Sequence, residues 1–152
     1  MLKNILVIDD DERLRELLDE YLTEKNYKVY HSDDFNSGKE ILEYFIFDLV
    51  IVDRMMPSGD GINLVNIIKE KSNTPIILLT AMGEPENKIE GLKIGADDYL
   101  AKPFEPEELF LRIKKLLNLF SDINERSEIV NFGDFTYNIN DLQLKRKNKI
   151  IY

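Results

Sequence analysis

The sequence predicts a doubly wound α/β fold, in which a five-stranded parallel sheet is covered by helices on both faces. Short apolar runs rich in β-branched residues alternate five times with amphipathic segments, at roughly even spacing. The runs are almost continuously apolar, which is typical of parallel strands buried on both faces. This alternation favours right-handed strand–helix–strand crossovers and therefore an open parallel sheet.

The predicted elements follow one another regularly along the chain. The five strands are predicted at 5–8, 27–31, 49–52, 76–79 and 99–101. Apolar residues at three- and four-residue intervals predict a helix after each strand. These residues are Leu14, Leu18 and Leu22, then Ile41, Leu42 and Phe45, then Leu64, Val65 and Ile68, then Ile89 and Leu92, and finally Leu109, Ile113, Leu116 and Leu117. Gly95 ends the fourth helix and Pro106 lies in the first turn of the fifth.

The helical pattern ends near Phe120, which divides the chain into three predicted parts. Residues 1–120 form the first domain, and the polar segment 121–128 is a linker. In residues 129–152, near-alternation of Phe132, Phe135 and Tyr137 predicts a small C-terminal β segment.

Composition excludes several classes of protein. The formal net charge of -9 argues against a surface that binds nucleic-acid backbones or anionic lipid. The sequence has no cysteine, which excludes disulfides and thiolate metal sites. No apolar run is long enough to span a membrane. We therefore expect a cytoplasmic protein with no membrane partner.

Polar and charged residues directly follow the ends of the predicted strands. In open parallel sheets, ligands bind beyond the carboxyl ends of the strands. The residues at these ends are Asp9 and Asp10 after the first strand, Asp53 after the third, Thr80 and Ala81 after the fourth, and Lys102 after the fifth. We expect the three carboxylates, the hydroxyl and the ammonium group to converge.

Three carboxylates in one pocket require a cation. A single pair about 4 Å apart costs on the order of 4 kcal/mol at an effective dielectric constant of 20. One lysine is insufficient, and Mg²⁺ binds through one or two carboxylates plus waters. Asp10 and Asp53 are the expected direct ligands, with Asp9 holding metal-bound water.

Such a carboxylate is equipped to attack a phosphoryl group. Mg²⁺ and Lys102 would neutralise charge on the phosphoryl oxygens. Thr80 would donate a hydrogen bond to the product, and the small Ala81 leaves space for it.

The ordered set of motifs resembles the receiver domains of response regulators. The matching pieces are Asp9-Asp10, Asp53-Arg54-Met55-Met56-Pro57 with Gly61, Thr80-Ala81, and the run from Gly95 to Phe104. The resemblance covers about residues 1–120. It implies a flavodoxin-like strand order 2-1-3-4-5 and phosphorylation of Asp53 by a sensor histidine kinase. It also implies a Mg²⁺ contact from the backbone carbonyl of Met55, a switch pair formed by Thr80 and Tyr99, and a cis Lys102-Pro103 peptide.

The segment from Gly91 to Phe104, with Glu108-Leu109 and Arg112-Ile113, is similar to regulators of the OmpR/PhoB type. That similarity implies homodimerisation on phosphorylation, through the fourth helix, fifth strand and fifth helix. The corresponding residues are an apolar patch of Ile89, Leu92 and Leu111, surrounded by Lys88, Asp97, Asp98, Glu108, Arg112 and Lys115. Expected charge pairs join Lys88 to Glu108, and Asp97 or Asp98 to Arg112 or Lys115.

The tail resembles the opening strands of a winged-helix effector domain, without its DNA-reading helices. If the native chain continues beyond Tyr152, we expect a DNA-binding transcription regulator. The alternative is a stand-alone receiver that acts through protein contacts.

Two other function classes use related features. A haloacid-dehalogenase-like phosphatase needs a second aspartate two residues after its nucleophile, where this chain has Met55. A flavodoxin-like flavin binder needs a phosphate-binding loop after the first strand, where Asp9, Asp10, Asp11 and Glu12 would repel phosphate. We therefore expect a phosphoacceptor signalling protein rather than an enzyme.

Overall fold

The computed structural model of the chain describes residues 2–81 and 95–131, with side chains up to Ser121. In chain order the elements are β1 (Asn4–Ile8), α1 (Glu12–Glu24), β2 (Lys28–Ser32), α2 (Phe35–Tyr44), β3 (Leu49–Asp53), β4 (Met55–Met56), β5 (Gly59–Asp60), α3 (Gly61–Lys71), β6 (Ile76–Ala81), β7 (Asp98–Lys102) and α4 (Pro106–Asn131).

Five strands form one parallel sheet in the order β2-β1-β3-β6-β7. This confirms the predicted five-stranded α/β fold and its 2-1-3-4-5 order, because β6 and β7 are the fourth and fifth predicted strands. The short antiparallel hairpin of β4 and β5, which directly follows the sheet strand β3, was not predicted. It places Met55 opposite Asp60.

Both faces of the sheet are buried. On one face, Leu6, Val50, Val52 and Leu78 belong to a core that includes Leu42 of α2 and Leu64, Val65 and Ile68 of α3. The alternate strand residues, such as Val7 and Ile51, are buried as well. Helices α1 and α4 supply further buried leucine and isoleucine side chains. The ring of Tyr21 in α1 packs edge to face against the ring of Phe110 in α4, with 6.4 Å between the ring centroids.

Aspartates begin three of the helices. Asp11, Asp34 and Asp60 each accept a hydrogen bond from a backbone N–H in the first turn of α1, α2 and α3, respectively. An aspartate at this position satisfies a donor that has no partner within the helix. The caps therefore fix where each helix starts beside the carboxyl end of the sheet.

The last helix is longer than the sequence predicts. The predicted helical pattern ends near Phe120, but α4 continues through Asn131, so the linker 121–128 and the first residues of the segment 129–152 are helical. The reason is that neither glycine nor proline occurs between Glu107 and Phe132, so nothing in the sequence breaks the helix before Gly133.

The chain divides into two compact units, Met1–Lys114 and Lys115–Tyr152.

Several predictions lie outside the described residues. They are the fourth predicted helix with Lys88, Ile89 and Leu92, and the β segment from Phe132 onward. Among the helices that the structure does describe, none is long and apolar enough to cross a membrane.

Candidate functional site

Three carboxylates converge at the carboxyl edge of the sheet, as predicted. Because Ile8 of β1 pairs with Val52 of β3, the residues that follow them, Asp9 and Asp53, come side by side. One carboxylate oxygen each from Asp9, Asp10 and Asp53 lies within 4.8 Å of the others. Asp9 is fully buried and Asp53 is 5% exposed, whereas Asp10 lies at the open rim.

Lys102, at the end of β7, is the cation that faces this cluster. Its Nζ lies 2.9 Å from Asp9 Oδ2 and 3.5 Å from Asp53 Oδ1. Burial opposes the charged ammonium, but the contacts with the two carboxylates outweigh this, and the pKa of Lys102 is raised. The peptide between Lys102 and Pro103 is cis, as the resemblance implied.

The acid at the centre of the cluster resists ionisation. Burial raises the pKa of Asp53 to about 7, and the neighbouring Asp9 and Asp10 raise it while Lys102 lowers it. Without further positive charge, a substantial fraction of Asp53 is therefore protonated near neutral pH. Among the described residues one lysine faces the three carboxylates, which leaves their negative charge only partly compensated.

The chemistry of the cluster fits a divalent metal ion. Hard cations such as Mg²⁺ bind carboxylate oxygens, and these three can approach one centre together. Backbone bonds fix the first acid, since Asp9 N–H donates to Ser32 O and Asp9 Oδ1 accepts from Asp11 N–H at 2.9 Å. Asp10 and Asp53 remain available as direct ligands.

Replacement of Lys102 by methionine is expected to destabilise the fold. Methionine keeps the length of the side chain but leaves the cluster without its cation. We expect the free energy of unfolding to fall by about 1 to 3 kcal/mol at pH 7.5 in EDTA, less than for a fully buried pair because Lys102 is partly exposed. Urea denaturation measures this. An unchanged midpoint would show that the ion pair with Asp9 and Asp53 contributes nothing.

Thr80 and Ala81 lie where predicted, at the end of β6. Thr80 is 8% exposed, and Ala81 pairs with Lys102 across the strands. Tyr99 pairs with Leu78, two residues before Thr80, so Tyr99 and Thr80 share one face of the sheet. The Tyr99 hydroxyl is buried without a hydrogen-bond partner in the described part of the chain, and burial raises its pKa. The switch role of this pair stays a prediction.

Of the charged residues predicted around a dimer interface, Asp97, Asp98, Glu108 and Arg112 have partners within the chain. Arg112 donates to Asp98 at 2.8 Å and to Glu108 at 3.2 Å. Of the two acids expected to pair with Arg112 or Lys115, Asp98 is the one bonded to Arg112, whereas Asp97 accepts from Lys69 and from the Ile76 N–H, both at 2.8 Å. Leu111 and Lys115 are exposed. Dimerisation itself stays a prediction.

Sequence reasoning missed one ion pair beside Asp53. Arg54, directly after Asp53, bonds the carboxylate of Asp60 through two nitrogens, at 2.9 and 3.3 Å. In the sequence, the pair shows only as a basic residue followed six residues later by an acid at the start of a helix. That pattern does not by itself predict an ion pair. Pairing across the unpredicted β4–β5 hairpin is what brings them together.

The comparisons with known proteins now identify the family. Residues 5–114 match the model of the response regulator receiver domain. The chain belongs to that family. The chain is 39% identical over 144 residues to Protein PetR of Rhodobacter capsulatus, and the match covers 94% of this chain and 61% of PetR. It is 46% identical over 116 residues to the transcriptional regulatory protein ResD of Bacillus subtilis, covering 74% of this chain and 47% of ResD.

Solved structures agree with this assignment. The receiver domain of the Francisella response regulator 1452 superposes with a TM-score of 0.72 at 37% identity, covering 78% of this chain and 98% of that one. The BeF3-activated DrrB receiver domain gives 0.70 at 34% identity, covering 78% and 99%. The chain spans about half to three fifths of the length of its curated relatives, some of which are transcriptional regulators.

Proposed function

We propose that Asp53 accepts a phosphoryl group from a sensor histidine kinase, with Mg²⁺ held by Asp10, Asp53 and the backbone carbonyl of Met55. The observation that carries this proposal is the cluster of Asp9, Asp10 and Asp53 with Lys102 against it. Asp53 is buried, and Asp9, Asp10 and Lys102 all act on its carboxylate. Membership of the receiver family supports the kinase as partner.

The transfer is a displacement at phosphorus. An oxygen of the ionised Asp53 carboxylate forms a bond to phosphorus while the bond from phosphorus to the donor's histidine nitrogen breaks. The electron pair stays on that nitrogen, which takes a proton from solvent. Bound Mg²⁺ supplies charge neutralisation on the phosphoryl oxygens, and it favours the ionised form of Asp53. Lys102 Nζ, already 3.5 Å from Asp53, shifts to a phosphoryl oxygen.

The product then changes the surface near β6 and β7. Phosphorylation adds up to about two negative charges, and the Thr80 hydroxyl donates to the new oxygens. We propose that Tyr99 follows Thr80 and that a surface of Ile89, Leu92 and Leu111 then pairs two copies of the chain. The protein acts as a phosphoacceptor switch, with self-catalysed transfer and hydrolysis only, and not as a metabolic enzyme.

We propose that the protein regulates transcription and that it acts in the cytoplasm. Relatives named transcriptional regulatory proteins are about twice as long as the part matched here, which supports a longer native protein of the OmpR/PhoB type with a DNA-binding domain after this one. We place the beginning of that effector part in residues 129–152, after the linker 121–128.

Intact-mass spectrometry tests the acceptor. Incubation of the 152-residue chain with acetyl phosphate and Mg²⁺ is expected to add one phosphoryl group, and EDTA is expected to prevent the addition. Asp53→Asn keeps the shape of the side chain and removes the nucleophile, so the mass gain should disappear. Glu12→Gln, which removes an acid just outside the cluster, is the matched control and should be phosphorylated normally. A full mass gain in Asp53→Asn would assign the acceptor to another residue.

A further inference from the structure

The segment that links Asp53 to α3 is held by a bidentate ion pair. Arg54 is 9% exposed, although arginine is rarely buried, and its Nε and Nη2 donate to the two oxygens of Asp60. A guanidinium fork matched to one carboxylate fixes the orientation of both groups more firmly than a single charge contact does. The pair therefore closes the hairpin of β4 and β5 across its base.

Backbone bonds tie the same two residues to the sheet and to α3. Arg54 N–H donates to Leu79 O at 2.8 Å, in the strand that carries Thr80. Gly61 N–H donates to Arg54 O at 2.8 Å, and Asp60 Oδ1 accepts from Ile62 N–H at 2.9 Å. The ion pair thus connects the end of β6, the residue after the acceptor and the first turn of α3.

The tip of the hairpin is held from the other side by α2. Phe35 N–H donates to Ser58 Oγ at 2.9 Å, and the Phe35 ring lies directly over Gly59, where it fills the space that a Cβ would take. The hairpin is thus held at its tip by Phe35 and at its base by the Arg54–Asp60 pair. The position of Met55, which lies next to Arg54, therefore depends on the geometry of that ion pair. Met55 itself contributes little to its own placement, because its side chain is 63% exposed.

We propose that Arg54 and Asp60 are positioning residues for the divalent cation, because they hold the hairpin that carries the Met55 carbonyl in register with Asp53. This inference rests on the proposed metal site and adds two residues that do not touch the cation. Their removal should weaken cation binding although all carboxylates of the cluster remain. Residues outside the ligand set typically change metal affinity 10- to 100-fold when they orient the ligands.

The test measures Mg²⁺ affinity rather than phosphorylation. The dissociation constant is obtained from the rise of the unfolding temperature with Mg²⁺ concentration, which needs no phosphodonor. We expect Arg54→Met to raise the dissociation constant about tenfold. Asp60→Asn keeps an oxygen for the α3 cap and loses the ion pair, and it should have a similar effect. The double variant should be no worse than either single one, because both changes remove the same interaction.

A second ion pair in the chain provides matched controls. Lys69 and Asp97 are also partly buried and bonded at 2.8 Å, but they lie near the start of β6 and β7, at the opposite edge of the sheet. Lys69→Met and Asp97→Asn are expected to lower stability without changing Mg²⁺ affinity. Arg54→Lys, which restores a charge but not the fork, should recover only part of the wild-type affinity.

The outcomes separate this inference from the proposed function. Wild-type binding of Mg²⁺ with unchanged affinity in Asp60→Asn and Arg54→Met would overturn the positioning role alone. An equal loss of affinity in Lys69→Met would overturn it too, because the effect would then follow general destabilisation. If Arg54→Met does not fold, Asp60→Asn decides the matter. A wild-type protein that binds no Mg²⁺ would overturn the metal site and the positioning role together.

Discussion

Asp53→Asn is expected to stabilise the protein at pH 8 when no divalent cation is present. The pKa of Asp53 in the folded chain is raised to about 7, first by burial and then by Asp9, while an aspartate in the unfolded chain titrates near pH 4. Between these two values the folded chain binds a proton that the unfolded chain does not. The contribution of Asp53 to stability is therefore full below about pH 4 and is lost as the pH rises through about 7.

The asparagine variant does not lose stability in this way. Its free energy of unfolding should therefore exceed that of wild type by an amount that grows with pH. Each unit of pKa shift corresponds to about 1.4 kcal/mol, and water at the open rim of the pocket reduces the full value. We expect a difference of about 2 to 4 kcal/mol at pH 8 and little difference at pH 4. Urea denaturation in EDTA across this pH range measures it.

Two controls sharpen the measurement. Glu12→Gln removes an exposed acid in the first turn of α1, and its effect should not vary in the same way with pH. Addition of Mg²⁺ at pH 8 should stabilise wild type more than Asp53→Asn, since the cation supplies the positive charge that the cluster lacks. An advantage of the variant that stays constant from pH 4 to pH 8 would contradict a raised pKa at Asp53.

The convergence of the acidic cluster could be predicted because it depends on strong local signals. The runs 49–52 and 76–79 are apolar and β-branched, and parallel strands bring their carboxyl ends to one edge. Asp53 and Thr80 directly follow those runs, and Lys102 directly follows the run 99–101. The strand order itself came from the resemblance, since periodicity does not specify which strands are neighbours.

The missed features depend on tertiary contacts or on the absence of a signal. A two-residue strand such as Met55–Met56 has no periodicity, so neither the hairpin nor the pairing of Arg54 with Asp60 could be predicted. Asp97 pairs with Lys69, 28 residues away, across a contact that only the folded sheet creates. The helix α4 passes the polar residues after Phe120 because polarity alone does not end a helix.

Gly61→Ala is expected to be among the most damaging single changes in this domain. Gly61 opens α3 directly against the end of β3, and a Cβ there would overlap the backbone carbonyl oxygen of Asp53 and come within 2.8 Å of Val52 Cγ1. A backbone atom cannot move aside as the end of a side chain can. Relief of the overlap must therefore displace either the first turn of α3 or Asp53 itself.

The expected cost is about 3 kcal/mol, at the upper end of the range for overpacked sites, with slower phosphorylation of Asp53 in the molecules that fold. Gly38→Ala is the matched control, because the three atoms nearest to a Cβ at Gly38 are all side-chain atoms of Ile8, at 2.9 Å or more. Alanine within α2 also gains up to about 1 kcal/mol of helix propensity, so this control should lose far less stability. Urea denaturation of the two variants at pH 5, where Asp53 is mostly protonated in the folded chain, isolates the steric effect. A loss in Gly61→Ala as small as the loss in Gly38→Ala would show that α3 can move away from Asp53 at little cost, and that the position of Asp53 does not depend on a glycine at residue 61.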